Sequence, residues 1–228
     1  MTVRMFFDFD GVLNPIPYRE VWIGPENVSF NGFEMINPKN WTVEELTIDP
    51  DLYFLPDHTK QINVVNEWSG KEKTYTIRWS SELIERITAL VASGKANFTW
   101  LTTWRQRAPE LLAPLIGIDP TWKHADWQER RSDYEQWGKT EPISEWLENG
   151  ATEPFVWIDD VATKEFATDT LPRTAKERKR DHRFGGRFTH PILLATNPSL
   201  ILNTSLYFGV SREQWDAVET FVDTHAQV

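Results

Sequence analysis

The chain has 228 residues, 40% of them hydrophobic and 25% charged, with no cysteine and a formal net charge of −10. This composition suits one large globular domain, or a core domain carrying an insertion, and argues against wholesale disorder; the lack of cysteine excludes disulfides and thiolate metal centres. The acidic balance opposes general attraction to polyphosphate backbones but leaves room for a local basic patch.

The first apolar run, Val3 to Phe9, predicts a buried strand with Asp8 and Asp10 at its end and Gly11 behind them. About 65 residues then intervene before the first core helix, where such connections ordinarily take only a few, so residues 14–79 read as an insertion with structure of its own. Its last part predicts a β-hairpin: Gln61 to Trp68, a turn at Ser69-Gly70-Lys71, and Thr74 to Trp79, with Tyr75, Ile77 and Trp79 on one face. The earlier part, Pro15 to Pro56, is rich in Pro, Asn and Gly and yields no assignment.

Ser80-Ser81-Glu82 supplies capping residues for a helix whose Leu83, Ile84, Ile87, Leu90 and Val91 share a face, with Gly94 as its stop. A second strand, Asn97 to Leu101, ends in Thr102-Thr103. Ala108 to Ile116 predicts a helix that Pro114 ends or kinks, and Thr140 to Leu147 another with Pro142 in its first turn. A third strand, Pro154 to Ile158, runs into Asp159-Asp160. Arg173 to Arg187 is the one dense basic run, either a solvated loop or a phosphate or nucleic-acid contact. Ser211-Arg212-Glu213-Gln214 is a capping box opening a closing helix. The 12 Trp are many for this length; most serve packing, and several could form a stacking surface. No apolar run approaches the roughly 20 residues of a bilayer span, and no signal-peptide pattern opens the chain. A cytoplasmic protein with no membrane partner is expected.

Strands alternating with helices imply an α/β fold with a parallel sheet, whose ligands bind beyond the carboxyl ends of the strands. That architecture gathers Asp8, Asp10, Thr102, Asp159 and Asp160. In an extended segment Asp8 and Asp10 point to the same side. Carboxylates crowded into one site repel, and a divalent cation is the usual remedy. Hard oxygen ligands with a phosphate suit Mg²⁺. Gly11 would let the chain turn sharply there.

Asp8-Phe9-Asp10-Gly11-Val12-Leu13 resembles the first signature of the haloacid dehalogenase (HAD) superfamily. Leu101-Thr102 resembles its second motif, Lys139 in Gly138-Lys139-Thr140 its third, and Ile158-Asp159-Asp160 its fourth. The four occur in the expected order across residues 3–10, 80–118 and 137–167. Asp8 to Pro15, with Trp100 to Trp104, further resembles a HAD subgroup associated with RNA repair proteins. The resemblance implies a Rossmann-like core of residues 1–228, flanked by helices, with residues 14–79 in the place of a cap.

It also implies roles. Asp8 would be the nucleophile, forming an aspartyl phosphate. Asp10 would protonate the leaving oxygen and later deprotonate water. Mg²⁺ would bind Asp8, the backbone carbonyl of Asp10 and one acid of the Asp159/Asp160 pair. Thr102 would hydrogen-bond a phosphoryl oxygen, with Thr103 its rival, and Lys139 would stabilise the anion, with Lys123 the alternative. Arg105 is a candidate phosphate contact. The true dehalogenases lack the second Asp of the first motif, so Asp10 favours phosphoryl transfer. The expected substrate is a phosphomonoester: a phosphorylated small molecule, a nucleotide or a nucleic-acid end. A non-catalytic phosphate-binding protein and a phosphotransferase are the other readings.

Overall fold

The computed structural model describes residues 1–22, 28–30, 33–35, 41–65, 70–127, 138–163, 192 and 195–226. In chain order its strands and helices are β1 (Val3–Phe7), β2 (Tyr18–Trp22), β3 (Val28–Phe30), β4 (Phe33–Met35), β5 (Trp41–Glu45), β6 (His58–Val65), β7 (Glu72–Trp79), α1 (Ser81–Ala92), β8 (Ala96–Trp100), α2 (Ala113–Ile116), β9 (Lys123–His124), α3 (Thr140–Glu148), β10 (Phe155–Asp159), β11 (Ser199–Asn203) and α4 (Arg212–His225). The basic run falls outside the described residues, as do Asn66 to Trp68 of the expected first hairpin strand and Ser69 of its turn.

Five strands form one parallel sheet in the order β11-β10-β1-β8-β9. Its central strands are mostly apolar on both faces, because both are covered; Arg4, Asn97, Thr99 and Asp159 are the exceptions. On one face Val3, Met5 and Phe7 meet Leu83, Ile84 and Ile87 of α1 and Trp215, Val218 and Val222 of α4. On the other, Phe6, Phe155, Trp157 and Ile201 meet Ile143 of α3. Trp157 and Phe155 are fully buried. Each large apolar side chain buried this way contributes about 1.5–3 kcal/mol relative to exposure, so the strand ends rest on a rigid base.

The hairpin forms between β6 and β7, in register from His58↔Trp79 to Val65↔Glu72. Val64 and Ile77 on its inner face join the same core as α1 and α4. Two further antiparallel pairs, β2 with β5 and β3 with β4, lie in the segment that yielded no assignment from sequence.

Two expectations are refined and a third holds. The helix over Ala108 to Ile116 is split: a single π-helical turn, Ala108–Leu112, leads into α2, with Pro114 in the first turn of α2 and left-handed Gly117 closing it. Pro114 has no N–H to donate, so it fits a helix start better than a helix interior. Ser80 precedes α1, but its side chain makes no cap bond. Asp57 takes that part, accepting from Ser81 N at 2.8 Å and from the Ser81 hydroxyl. The capping box of α4 forms as expected, with Ser211 and Gln214 bonded reciprocally.

Candidate active site

Parity along the strands decides which side chains meet. Phe6 lies on the α3 face of the sheet, and so do Phe155 and Trp157. Asp8 and Asp159 continue those alternations, while Lys139 stands at the N-terminus of α3 on the same face. The Lys139 ammonium accordingly bonds the Asp8 carboxylate and, at 2.8 Å, Asp159 Oδ2. All three residues are buried. Lys123, the alternative lysine, is exposed on the edge strand β9.

The two neighbouring acids of the fourth motif have different surroundings. Asp159 Oδ1 accepts from the backbone N–H groups of Val161 at 2.9 Å and Ala162 at 2.6 Å. With Lys139 on its other oxygen, Asp159 holds the turn after β10. Asp160 has no ion pair among the described residues, and its side chain packs against Gly11. A methyl group at Gly11 would lie 2.6 Å from Asp160 Cβ and Cγ, and Gly11 has φ +66°, so a side chain there is opposed twice. Asn203, at the end of β11, donates to the backbone carbonyls of Asp159 and Asp160 at 3.2 and 2.7 Å. Thr204 donates to the Gly11 carbonyl at 2.6 Å. β11 thus ties the first and fourth motifs together.

Asp8, Asp159 and Asp160 each offer a carboxylate oxygen within 4.8 Å of the others. Three carboxylates face one ammonium. Burial pushes the Asp8 carboxyl up to about 7; Lys139 opposes the rise and Asp159 adds to it. Burial likewise pushes Asp160 up to about 6, with Asp159 adding and Lys139 opposing. For Lys139, burial works against the charge, but Asp8 and Asp159 prevail and hold its pKa above the ordinary lysine value. The cluster is therefore short of positive charge, and its donors are all hard oxygens. Such a set fits a Mg²⁺ ion.

The extended-strand argument for Asp10 fails locally. β1 ends at Phe7, and the Phe9 carbonyl accepts from the N–H groups of Val12, Leu13 and Asn14, so the chain is already turning. Asp10 is not one of the three clustered acids; its carboxylate accepts from Asn14 Nδ2 at 2.6 Å and Trp104 Nε1 at 2.9 Å. Thr102 is buried beside Asp8, and its hydroxyl bond draws the Asp8 pKa down, while Thr103 is exposed. Arg105 has the left-handed φ of +50° and sets its guanidinium 4.8 Å over the Trp127 ring. Trp127 in turn packs on Gly138, beside Lys139, so closely that an added methyl there would sit 2.3 Å from its ring.

A family model described as the HAD domain in Swiss Army Knife RNA repair proteins matches residues 57–183, more than half of the chain. The chain belongs to this HAD family. No curated protein and no solved structure matches. The matched stretch of the HAD domain starts at Asp57, so it takes in the hairpin and the residues Thr102, Lys139, Asp159 and Asp160. Asp8 and Asp10 precede it and enter the site through the fold, since β1 lies between β8 and β10. Membership supports phosphohydrolase chemistry in general. Among the described residues, no helix is long and apolar enough to cross a membrane.

Sequence reasoning missed Asn14, Asn203 and the contact of Trp104 with Asp10. β11 had a usable signal, since Ser199-Leu200-Ile201-Leu202-Asn203 is an apolar run ending in a polar side chain like the other three. Asn14 and the Trp104 contact had none, because neither follows a period or a charge pattern.

Proposed function

We propose that the protein is a Mg²⁺-dependent phosphatase that hydrolyses phosphomonoesters through a phosphorylated Asp8. The observation that carries this reading is the buried Lys139 bridging Asp8 and Asp159 beside Asp160. A structural lysine would not need two buried carboxylates and a third within reach. Asp8 attacks phosphorus, so that its oxygen–phosphorus bond forms as the ester P–O bond breaks. Asp10 gives its proton to the departing oxygen. Asp10 then takes a proton from water, whose oxygen bonds to phosphorus as the bond to Asp8 breaks, restoring Asp8 and releasing phosphate. Lys139 and Thr102 stabilise the negative charge at the phosphoryl oxygens, with Arg105 a further candidate phosphate contact. Asp8, the Asp10 carbonyl and Asp160 would hold Mg²⁺, which offsets the charge of nucleophile and phosphate. Asp159 is the poorer candidate ligand because its oxygens already serve the turn and Lys139.

The family description supports a nucleic-acid end or nucleotide as the phosphate carrier. Residues 14–79 fit a cap-like insertion in a single domain of residues 1–228, with the hairpin touching Asn14 and Trp104 beside Asp10. The test is phosphate release by purified protein with Mg²⁺ from a panel of sugar phosphates, nucleotides and phosphorylated oligonucleotides. Release that stops with excess chelator and returns with Mg²⁺ is expected. Undiminished release in excess chelator, or none from any ester, contradicts the reading.

A further inference from the structure

Asp10 is gripped from both sides, and both grips trace back to the hairpin. Trp104, whose Nε1 donates to Asp10 Oδ2, is 8% exposed and stands edge-on to Tyr75 of β7, centroids 4.9 Å apart, and to Phe9 at 6.2 Å. Asn14, whose Nδ2 donates to Asp10 Oδ1, is 3% exposed, and its own Oδ1 accepts the backbone N–H of Arg78 in β7 at 2.8 Å. We propose that Trp104 and Asn14 are positioning residues for Asp10, and that β7 sets the geometry of both. This rests on the phosphatase reading above.

The physical case concerns the proton. An Asp carboxylate, free about Cα–Cβ and Cβ–Cγ, can present its oxygens in many directions. Two donors, one on each oxygen, fix its plane. Neither donor group can accept a proton, since an indole N–H and an amide NH₂ only donate. When Asp10 is protonated, the acidic hydrogen must use a lone pair that faces neither of them. The two contacts therefore choose the side on which Asp10 is an acid. The hairpin, through Tyr75 and Arg78, keeps both donors in place.

The decisive variant is Trp104→Phe, which keeps an aromatic ring against Tyr75 and Phe9 and removes the donor along with part of the indole's volume. Two esters report on the proton. A 5′-nucleotide expels its nucleoside as an alkoxide, which needs protonation as the P–O bond breaks; p-nitrophenyl phosphate expels a stable phenolate, which does not. The comparison uses kcat/KM, which covers only the steps through loss of the leaving group. Trp104→Phe should lower it about 10²-fold for the nucleotide and less than about tenfold for p-nitrophenyl phosphate. Equal losses would mean a merely structural role and overturn the proposal. A second readout does not depend on turnover. The indole N–H resonance of Trp104, assigned by its loss in Trp104→Phe, should move in Asp10→Ala. If it moves while the wild-type protein hydrolyses neither ester, the phosphatase reading falls and the pinning of Asp10 stands. If it does not move, the pinning is wrong whatever the turnover.

Discussion

Amidation of Asp159 and of Asp160 should have different consequences, because Asp159 is saturated by two backbone N–H groups and Lys139 while Asp160 carries no ion pair among the described residues. Asp160→Asn should raise the Mg²⁺ concentration needed for half-maximal turnover and leave the fold intact. Asp159→Asn turns an amide toward the Lys139 ammonium and should cost about 2 kcal/mol of stability, the scale of a hydrogen bond to a charged group. Metal titrations and denaturant melts of both variants separate the effects; the reverse pattern would make Asp159 the metal ligand. Most of this site was legible in the sequence. Asp8, Lys139, Asp159 and Asp160 sit at strand or helix ends, where a parallel sheet concentrates its polar groups. The division of labour between Asp159 and Asp160 was not, since it depends on which carboxylate the next turn folds onto. Nor was the setting of Asp10, because strand alternation was extended past Phe7 into a turn.

At the scale of elements, the start of α1 shows how the segment before it is locked to the core. Asp57 lies just before β6, yet it supplies the cap that Ser80 does not. Asp57→Ala should therefore destabilise the protein by about 1 kcal/mol, as loss of an N-cap does, although Asp57 is 24 residues from the helix it caps. A melt within about 0.2 kcal/mol of wild type would show that the bond does not contribute. The same face carries Arg86 bonded to Asp216 and Glu219, and Arg212 bonded through both nitrogens to Glu82, joining α1 to α4. Elements with a strong period or cap were legible: β1, β8, β10, the hairpin, α1, α3 and α4 all lie within a few residues of expectation. The pair β3–β4 was missed although it had a usable signal, since Val28-Ser29-Phe30 and Phe33-Glu34-Met35 alternate around Asn31-Gly32 in the sequence. The pair β2–β5 was not legible, because Tyr18 to Trp22 carries no apolar alternation. Asp57 was missed for a related reason: a cap contributed from 24 residues away has no local signature.

Across the whole molecule, Asp8 and Asp160 link stability to pH, and the acidic cluster links it to metal. The folded-state pKa of Asp8, about 7, and of Asp160, about 6, lie above the ordinary 3.8, so folding favours their protonated forms. Their contribution is complete below about pH 4 and is lost as pH rises through 6 to 7. The metal-free protein should lose melting temperature across that window. Mg²⁺ competes with those protons, so its stabilising shift should be small at pH 5 and larger at pH 8. A shift independent of pH, seen by thermal melts with and without Mg²⁺, would place the ion elsewhere. The core that makes such a cluster possible is sealed on both faces by aromatic side chains, and the parallel order β10-β1-β8 puts Asp8 between the second and fourth motifs. In the proposed mechanism the phosphoryl group passes through Asp8. The most direct test of that step is to quench the enzyme in acid during turnover of a phosphomonoester and locate the phosphoryl group by peptide mass spectrometry. The account predicts one phosphoryl group on the peptide containing Asp8 and none in Asp8→Asn. Turnover by Asp8→Asn at the wild-type rate, or a phosphoryl group on a different residue, would contradict it.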